Sequence, residues 1–254
     1  MKSIISIVLF TVFFSACKKE ERPIPKKEMG DILENQVEMG ADYRYQFYYK
    51  LETNEIIASN VKTAWDIAFT SGSDDYRLFL NASKAMAAAP FTASDFESLQ
   101  DTTGFMQNRV FDASSGNMDS TAIGDWRNEN PVYILDLGFS YTGMHLGYRK
   151  MQVLAVTSTA YQVRFAKLDN SENLTITIPK EDNYNATFWS FETNETVMIE
   201  PPKNEWDLVF TQYVHIFHEP QELPYLVTGT LMNRYQTFGI LDKTIPFEEI
   251  DLAL

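Results

Sequence analysis

Short β-favouring segments separated by turn residues make up most of this sequence, and they constrain its fold more than any other feature. Residues 43–51 (YRYQFYYKL) are rich in aromatic side chains, which suit the pleated, half-buried surface of a strand. We predict strands at residues 43–51, 63–70, 76–81, 131–137, 148–157, 160–168, 173–178, 186–191, 206–213 and 225–233. The sequence therefore predicts an all-β fold, with antiparallel sheets in a single β-rich body at residues 31–254.

Helical signals are few in the same region. Residues 92–99 and 247–251 are the two segments where we predict short helical insertions. Residues 99–130 are polar, contain three glycines and show little periodicity, so we predict a long loop or irregular insertion there. Loops of that length are usually functional or mobile.

One short motif occurs twice. Residues 65–70 read Trp-Asp-Ile-Ala-Phe-Thr, and residues 206–211 read Trp-Asp-Leu-Val-Phe-Thr. We interpret each tryptophan as a side chain that fills one end of a sheet, and each aspartate as a cap on its own turn. The repetition predicts two related β units within one continuous body, and it does not indicate catalysis.

The N-terminus predicts export and lipid modification. Lys2 precedes an almost unbroken apolar run at residues 4–14, which has the length of a signal-peptide core and is too short to span a bilayer. Residues 14–17 (FSAC) resemble the lipobox of bacterial lipoproteins, in which the cysteine receives the lipid. We predict a signal peptide at residues 1–16 and a lipidated, palmitate-bearing Cys17. The alternative is an ordinary secretory peptide whose cysteine is incidental.

Cys17 is the only cysteine of the 254 residues, so no disulfide can form within the chain. Its position favours a membrane anchor over a free thiol or an intermolecular bridge. Residues 17–30 are charged and contain prolines, which predicts a flexible tether. Lys19, Glu20 and Glu21 resemble the signal that sends Bacteroidota lipoproteins to the outer face of the outer membrane. We therefore expect a lipid-anchored protein of the outer membrane, exposed at the cell surface.

The composition and the motifs exclude several classes of function. A net charge of −14 and an isoelectric point near 4.6 argue against nucleic acid as a partner and against tight docking on anionic lipid head groups. The sequence contains no HExxH, CxxC, GxSxG, Walker A or GxGxxG motif. Asp136, Glu219 and Glu222 are carboxylates of the kind that glycosidases pair, but only their separation in space decides that role. We expect a binding protein and not an enzyme.

The three histidines are the clearest candidates for ligand binding. His145 lies in a glycine-flanked turn at residues 140–147 (SYTGMHLG), where the flexible backbone brings a side chain close to a ligand. His215 and His218 lie at the end of the second Trp-Asp strand, and a spacing of three places them on opposite faces of an extended strand. The Glu-Pro pair that follows favours a bend that turns His218 out of the sheet. The alternative for each histidine is a surface or hydrogen-bonded position in a loop.

Three groups of segments form a larger pattern. The first Trp-Asp strand is followed by residues 77–81 (RLFLN), residues 147–153 (GYRKMQV) lead into residues 161–165 (YQVRF), and the second Trp-Asp strand is followed by residues 225–231. Together these segments resemble the HmuY-like haem-binding lipoproteins of Bacteroidota. The second group looks like the Tyr-x-Lys strand and hairpin of that family, and the third looks like the closing part of its longer members. The resemblance covers roughly residues 40–245.

The resemblance implies an all-β, lipid-anchored protein that holds haem between two axial side chains and passes it to a TonB-dependent outer-membrane receptor. Members of the family use a pair of histidines or a pair of methionines as iron ligands. We expect His145 and His218 to ligate the iron, with His218 favoured over His215. Met144 and Tyr141 complete the set of candidate cofactor-binding residues.

The sequence departs from the family at one point. No histidine or methionine occurs between Met151 and Met198, so His145 lacks a second ligand close downstream. For the haem propionates we expect Arg149 and Lys150, which lie just behind the turn. Two alternatives stay open. The same β scaffold binds another ligand or an envelope protein partner without haem, or the chain is an enzyme or a structural envelope protein.

Overall fold

The computed structural model of the protein describes residues 34–92, 94–220, 223–241, 243–244 and 246. The predicted signal peptide, Cys17, the tether and the helix predicted at residues 247–251 lie outside the described residues. The strands are β1 Tyr45–Lys50, β2 Glu55–Val61, β3 Ile67–Thr70, β4 Leu78–Leu80, β5 Ala87–Phe91, β6 Val132–Asp136, β7 Tyr148–Val156, β8 Ala160–Ala166, β9 Leu174–Pro179, β10 Ala186–Ser190, β11 Glu195–Val197, β12 Leu208–Phe217 and β13 Leu223–Met232. A 3₁₀ turn at Ala82–Lys84 and one helical turn, α1, at Phe105–Asn108 lie between strands. Within the described part of the chain, no helix has the length and apolar character needed to cross a membrane.

Every pairing between these strands is antiparallel, so the predicted all-β fold is confirmed. The described residues form three sheets, with strand orders β13-β12-β1-β2, β11-β10-β3-β4 and β5-β6-β7-β8-β9. We call them the first, second and third sheets. The predicted strands correspond to ten of those observed, and β2, β5 and β11 were not predicted.

The helix predicted at residues 92–99 is wrong. The described residues of this segment form turns and irregular backbone. The carbonyl oxygens of Phe96 and Leu99 accept hydrogen bonds from the ammonium of Lys150, at 2.7 Å and 2.9 Å. Because Lys150 is fully buried, its ammonium needs protein acceptors, and these carbonyls serve that need instead of bonding within a helix.

The second sheet lies at the centre of the packing. It faces the first sheet across a cluster that includes Tyr48, Phe188 and Trp206. It shares a larger core with the third sheet, where the ring of Phe165 stacks on that of Trp189 with centroids 5.7 Å apart. All four residues of β3 are buried, as expected for a strand that is covered on both faces.

The repeated motif belongs to a longer internal duplication. Residues 51–55 (LETNE) recur as residues 191–195 (FETNE), and each copy spans the turn of a hairpin. The first unit is β1 to β4 and the second is β10 to β13. Tyr48 of β1 lies opposite Val209 of β12, in the same register in which Phe188 of β10 lies opposite Ala68 of β3. Each unit therefore pairs its first hairpin with the second hairpin of the other unit.

The two aspartates of the repeated motif have equivalent roles. Asp66 accepts a hydrogen bond from the backbone N–H of Phe191 at 2.6 Å, and Asp207 accepts one from that of Leu51 at 2.8 Å. The prediction that each aspartate caps its own turn is wrong, because each caps the residue after the neighbouring strand. The caps therefore connect the two units to each other.

The two tryptophans of the motif also have matching neighbours. The ring of Trp206 lies edge-on to Tyr48, and the ring of Trp65 lies edge-on to Phe188, each with centroids 5.0 Å apart. Both tryptophans pack in the cluster between the first and second sheets. Each edge-to-face pair adds about 1 kcal/mol beyond the burial of its apolar area.

Candidate ligand-binding site

Residues 137–147 form the tip of the β6–β7 hairpin. The pairing of the two strands continues through a backbone hydrogen bond from Leu146 to Gly138 (2.9 Å), and the chain then reverses in a glycine-containing turn. Three of the predicted site residues lie on this tip: Tyr141, Met144 and His145.

The base of the tip is fixed against the 3₁₀ turn. Gly138 has a φ of +65°, and a Cβ atom at this position would lie 1.9 Å from the carbonyl oxygen of Lys84. The next residue, Phe139, donates its backbone N–H to the same oxygen at 2.7 Å. Only glycine tolerates both the positive φ and this close approach, so the position of the tip depends on Gly138.

The imidazole of His145 is held by its neighbours on the hairpin. Its Nε2 lies 2.8 Å from a carboxylate oxygen of Asp136. The rings of Phe139 and Tyr148 flank it, with centroids 5.4 Å and 5.3 Å away. The side chain remains 37% exposed. Asp136 thus fixes the ring orientation through Nε2, and Nδ1 has no hydrogen-bond partner among the described residues.

A cleft of about 480 Å³ opens next to this hairpin. Its lining residues come from the hairpin, from the β8–β9 turn and from the loop after β5: Gln100, Leu137, Leu146, Gly147, Tyr148, Arg149, Lys167, Leu168 and Asp169. Tyr148, whose ring contacts His145, is part of the wall. The cleft therefore combines an apolar surface, two cations and the carboxylate of Asp169, with a histidine at its margin.

Lys150 connects the segments that form the cleft. Its Nζ donates to the carbonyl oxygens of Phe96 and Leu99 and to the side-chain oxygen of Asn170 at 2.6 Å, with Leu168 O farther away at 3.4 Å. The prediction that Lys150 binds a propionate is wrong, because the ammonium is buried and protein oxygens surround it. Its role is to hold the β8–β9 turn and the loop after β5 against β7.

The two cations of the cleft share one carboxylate. Arg149 Nη2 lies 2.6 Å from Oε2 of Glu172, and Lys167 Nζ pairs with the other carboxylate oxygen. The hydrogen bonds from Lys167 and Arg149 lower the pKa of Glu172, so this carboxyl is ionised at neutral pH.

Tyr141 and Met144 lie farther out on the tip, and neither lines the cleft. Met144 is 63% exposed. The guanidinium of Arg44 lies over the ring of Tyr141, 4.6 Å from its centroid. These side chains are accessible to a ligand only at the outer edge of the hairpin.

His215 lies near the end of β12, and His218 directly follows that strand. The Nδ1 of His215 lies 2.8 Å from Ser114 Oγ, and its ring packs edge-on to Phe217. His218 follows β12 and is exposed. Among the described residues, no hydrogen bond or ring contact joins His145 to either of them, and no group of three or more metal-binding side chains is present.

The far halves of β12 and β13 form a ribbon with exposed apolar side chains. Phe217, Leu223 and Tyr225 are 45%, 49% and 58% exposed. The rings of Phe217 and Tyr225 pack edge-on with centroids 6.2 Å apart. The ribbon is a second surface on which a flat apolar ligand or a protein could bind.

Sequence reasoning did not identify Lys167, Leu168 and Glu172. The only local signal was the Asp-Asn turn between two predicted strands, in which Asn170 and Glu172 both adopt a positive φ. The proximity of this turn to the His145 hairpin follows from the register of β7 with β8, which shifts between Val153 and Ala155 and which a single sequence does not specify.

The fold and the cleft describe a class of protein: an all-β protein with a cleft that combines apolar and charged side chains. Residues 42–184 match the family described as HmuY protein, and this match covers more than half of the 254 residues. The chain therefore belongs to the HmuY family, as its resemblance predicted. Searches of curated proteins and of solved structures found no match. The family match includes every residue that lines the cleft.

Proposed function

We propose that this protein binds haem at the cell surface and passes it to a TonB-dependent outer-membrane receptor, as a binding protein without catalytic activity. The observation that supports this function best is the cleft beside His145, within the region matched by the HmuY family. Membership in that family is consistent with haem as the ligand.

The residues of the cleft fit the chemistry of haem. A porphyrin is a large apolar ring, and Leu137, Leu146 and Tyr148 offer it an apolar wall. Its propionates are anionic, and the cleft offers the cations of Arg149 and Lys167. When bound, haem supplies an iron that accepts nitrogen or sulfur ligands along its axis.

We propose His145 as one iron ligand, since it lies at the margin of the cleft and keeps one ring nitrogen without a hydrogen-bond partner among the described residues. His218 is the proposed second ligand and is favoured over His215, whose Nδ1 already interacts with Ser114. Met144 is the next candidate, because it neighbours His145 and its thioether is exposed.

A haemin titration of a soluble form that starts at residue 34 tests this function. We expect a saturable Soret shift at micromolar haemin, and we expect His145→Ala to weaken binding by about tenfold or more, as for loss of a metal ligand. His218→Ala should also weaken binding, and His215→Ala should change it little. Absence of a saturable shift in the wild-type protein would refute the haem function. Equal binding by the wild type and the His145 and His218 variants would refute only the ligand assignment.

The proposed location rests on Cys17. We propose that the lipid on Cys17 anchors the protein at the outer membrane, with the tether at residues 17–30 between anchor and body. Cys17→Ala should abolish metabolic labelling with palmitate and move the protein out of the detergent phase. A detergent-phase variant after signal cleavage would contradict the anchor.

A second candidate function is the binding of an envelope protein without haem. β13 is a ten-residue edge strand with no charged side chain and no register shift against β12, whereas edge strands are usually protected by charges or bulges. Strand addition at this edge suits a protein partner. A photocrosslinker at Tyr225 in cells should then give one discrete adduct that Leu226→Lys abolishes. The control Leu154→Lys, at a similarly exposed leucine of β7, should preserve it.

A further inference from the structure

Glu172 occupies a chemically specific position beside the cleft. Both of its carboxylate oxygens are used, one by Arg149 at 2.6 Å and the other by Lys167. Arg149 and Lys167 both line the cleft, and Glu172 does not. A carboxylate from outside the cleft thus pairs with both cations inside it and offsets one of their two positive charges.

The backbone of the β8–β9 turn places Glu172 there. Asn170 and Glu172 both adopt the left-handed conformation, with φ of +68° and +51°. Lys167 and Ser171 are joined by a backbone hydrogen bond of 2.9 Å, and Lys150 holds the side chain of Asn170 at 2.6 Å. A glutamate in this conformation is strained by roughly 1 kcal/mol or more, so the turn is held by its surroundings.

The three groups differ in their accessibility. The side chain of Arg149 is 11% exposed, whereas those of Lys167 and Glu172 are 48% and 38% exposed. Arg149 is also packed over the ring of Phe191. Glu172 can therefore swing into solvent while the buried guanidinium stays in place. Its pair with Lys167 joins two exposed side chains, and pairs of that kind contribute little to stability.

We propose that Arg149 and Lys167 form the binding site for a carboxylate group of the ligand, and that Glu172 is a built-in competitor for this site. The inference rests on the proposed haem function and goes beyond it, since it names a residue that sets affinity and selectivity. A carboxylate of the ligand takes the place of the Glu172 carboxylate. It carries the same charge and accepts hydrogen bonds from the same two side chains, Arg149 and Lys167. A ligand without a carboxylate gains nothing at this position.

Binding measurements with two porphyrins that differ only in their carboxylates distinguish competition by Glu172 from a general effect of Glu172 on the cleft. Haemin carries two propionates, and haemin dimethyl ester carries none. The test variant is Glu172→Gln. The matched control is Glu97→Gln, which removes the same charge from an ion pair of the same length, 2.6 Å, between Glu97 and Arg164 outside this cleft.

We expect Glu172→Gln to lower the Kd for haemin by about tenfold, because haemin no longer displaces a competing carboxylate. Its Kd for the dimethyl ester should stay within about twofold of the wild-type value, and Glu97→Gln should change neither.

Three results would overturn the inference. If the wild type binds haemin and Glu172→Gln binds it no more tightly, Glu172 is not a competitor and the haem function stands. If Glu172→Gln tightens both porphyrins equally, it acts on access to the cleft and not on carboxylate recognition. If neither protein binds either porphyrin, the haem function and the inference fail together.

Discussion

Two fully buried asparagines, Asn81 and Asn233, occupy equivalent positions in the duplicated units. Each directly follows the last strand of its unit, β4 or β13, and we call these two positions the corners. The Nδ2 of Asn81 donates to the carbonyl oxygens of Lys62 and Trp65, both at 2.8 Å. The Nδ2 of Asn233 donates in the same way to Lys203 and Trp206, both at 2.7 Å. In both corners the side-chain oxygen accepts the backbone N–H two residues later.

Replacement of either asparagine by alanine should therefore have a similar effect on stability. Each change removes the amide donor from two backbone carbonyl groups, of which that of Trp206 keeps a hydrogen bond from Gln236 Nε2 at 2.8 Å. We expect Asn81→Ala and Asn233→Ala to cost about 2–4 kcal/mol each. Urea unfolding followed by tryptophan fluorescence measures this cost. Asn128→Ala, at an exposed position, is the control and should change stability by less than about 0.5 kcal/mol. A cost below about 1 kcal/mol at only one corner would contradict their equivalence. A cost that low at both corners would contradict the stabilising role of these hydrogen bonds.

Two buried carboxyls make stability depend on pH. Burial raises the pKa of Glu200 to about 7 and that of Asp112 to about 6, although both accept backbone hydrogen bonds. Because these values exceed those of the unfolded chain, the native state binds more protons between about pH 4 and 7. The free energy of unfolding therefore falls as pH rises through this window.

We expect a higher melting temperature at pH 5.5 than at pH 8. Glu200→Gln removes the larger contribution, of the order of 1–3 kcal/mol, and should flatten this difference. The control is Glu195→Gln, at an exposed position of β11, which should leave the pH dependence unchanged. An unaltered pH dependence in Glu200→Gln would contradict the assignment.

The hairpin that carries His145 depends on one glycine. Gly138→Ala forces a Cβ atom against the Lys84 carbonyl oxygen, so it should cost more than the 1–2 kcal/mol typical of a residue at positive φ. Gly143→Ala is the matched control: its φ is +83°, but no atom lies within 4 Å of the new Cβ. Thermal unfolding of both variants measures the difference, and equal costs would show that the close approach to Lys84 is unimportant.

The sequence specified the strands better than their arrangement. Strands rich in aromatic and β-branched residues, such as β1 and β8, were predicted, because those side chains suit a pleated surface. β5 was not, since its sequence (AAAPF) has no β-branched residue and includes proline. The segment at residues 92–99 was misassigned because its carbonyl groups bind Lys150, a partner 50 residues away or more.

The candidate site was predictable only in part. The glycine-flanked hairpin with His145 has a local sequence signal, and its aromatic neighbours lie within a few residues. The opposite wall comes from the β8–β9 turn, and its place beside the hairpin depends on the register of β7 with β8. The Glu172 contacts with Arg149 and Lys167 follow from that register, so composition and spacing do not reveal them.

At the scale of the whole molecule, the two Trp-Asp units pair with each other in both the first and the second sheet. The third sheet carries the cleft. Each unit supplies two strands to the first sheet and two to the second. β5 to β9 lie between the units in the chain, and β6 to β8 flank the cleft. The duplicated units thus form a scaffold, and the strands inserted between them carry the cleft.

The location of the haem site is the central claim, and amide NMR of the labelled soluble protein with diamagnetic gallium protoporphyrin tests it most directly. We predict saturable shifts at residues 137–149 and 167–172, together with a shift at His218 if it is the second ligand. Residues 227–232, in the half of β13 that lies away from His218, should keep their positions in the spectrum. Shifts confined to the ribbon, or no shifts at all, would contradict a haem site in the cleft beside His145.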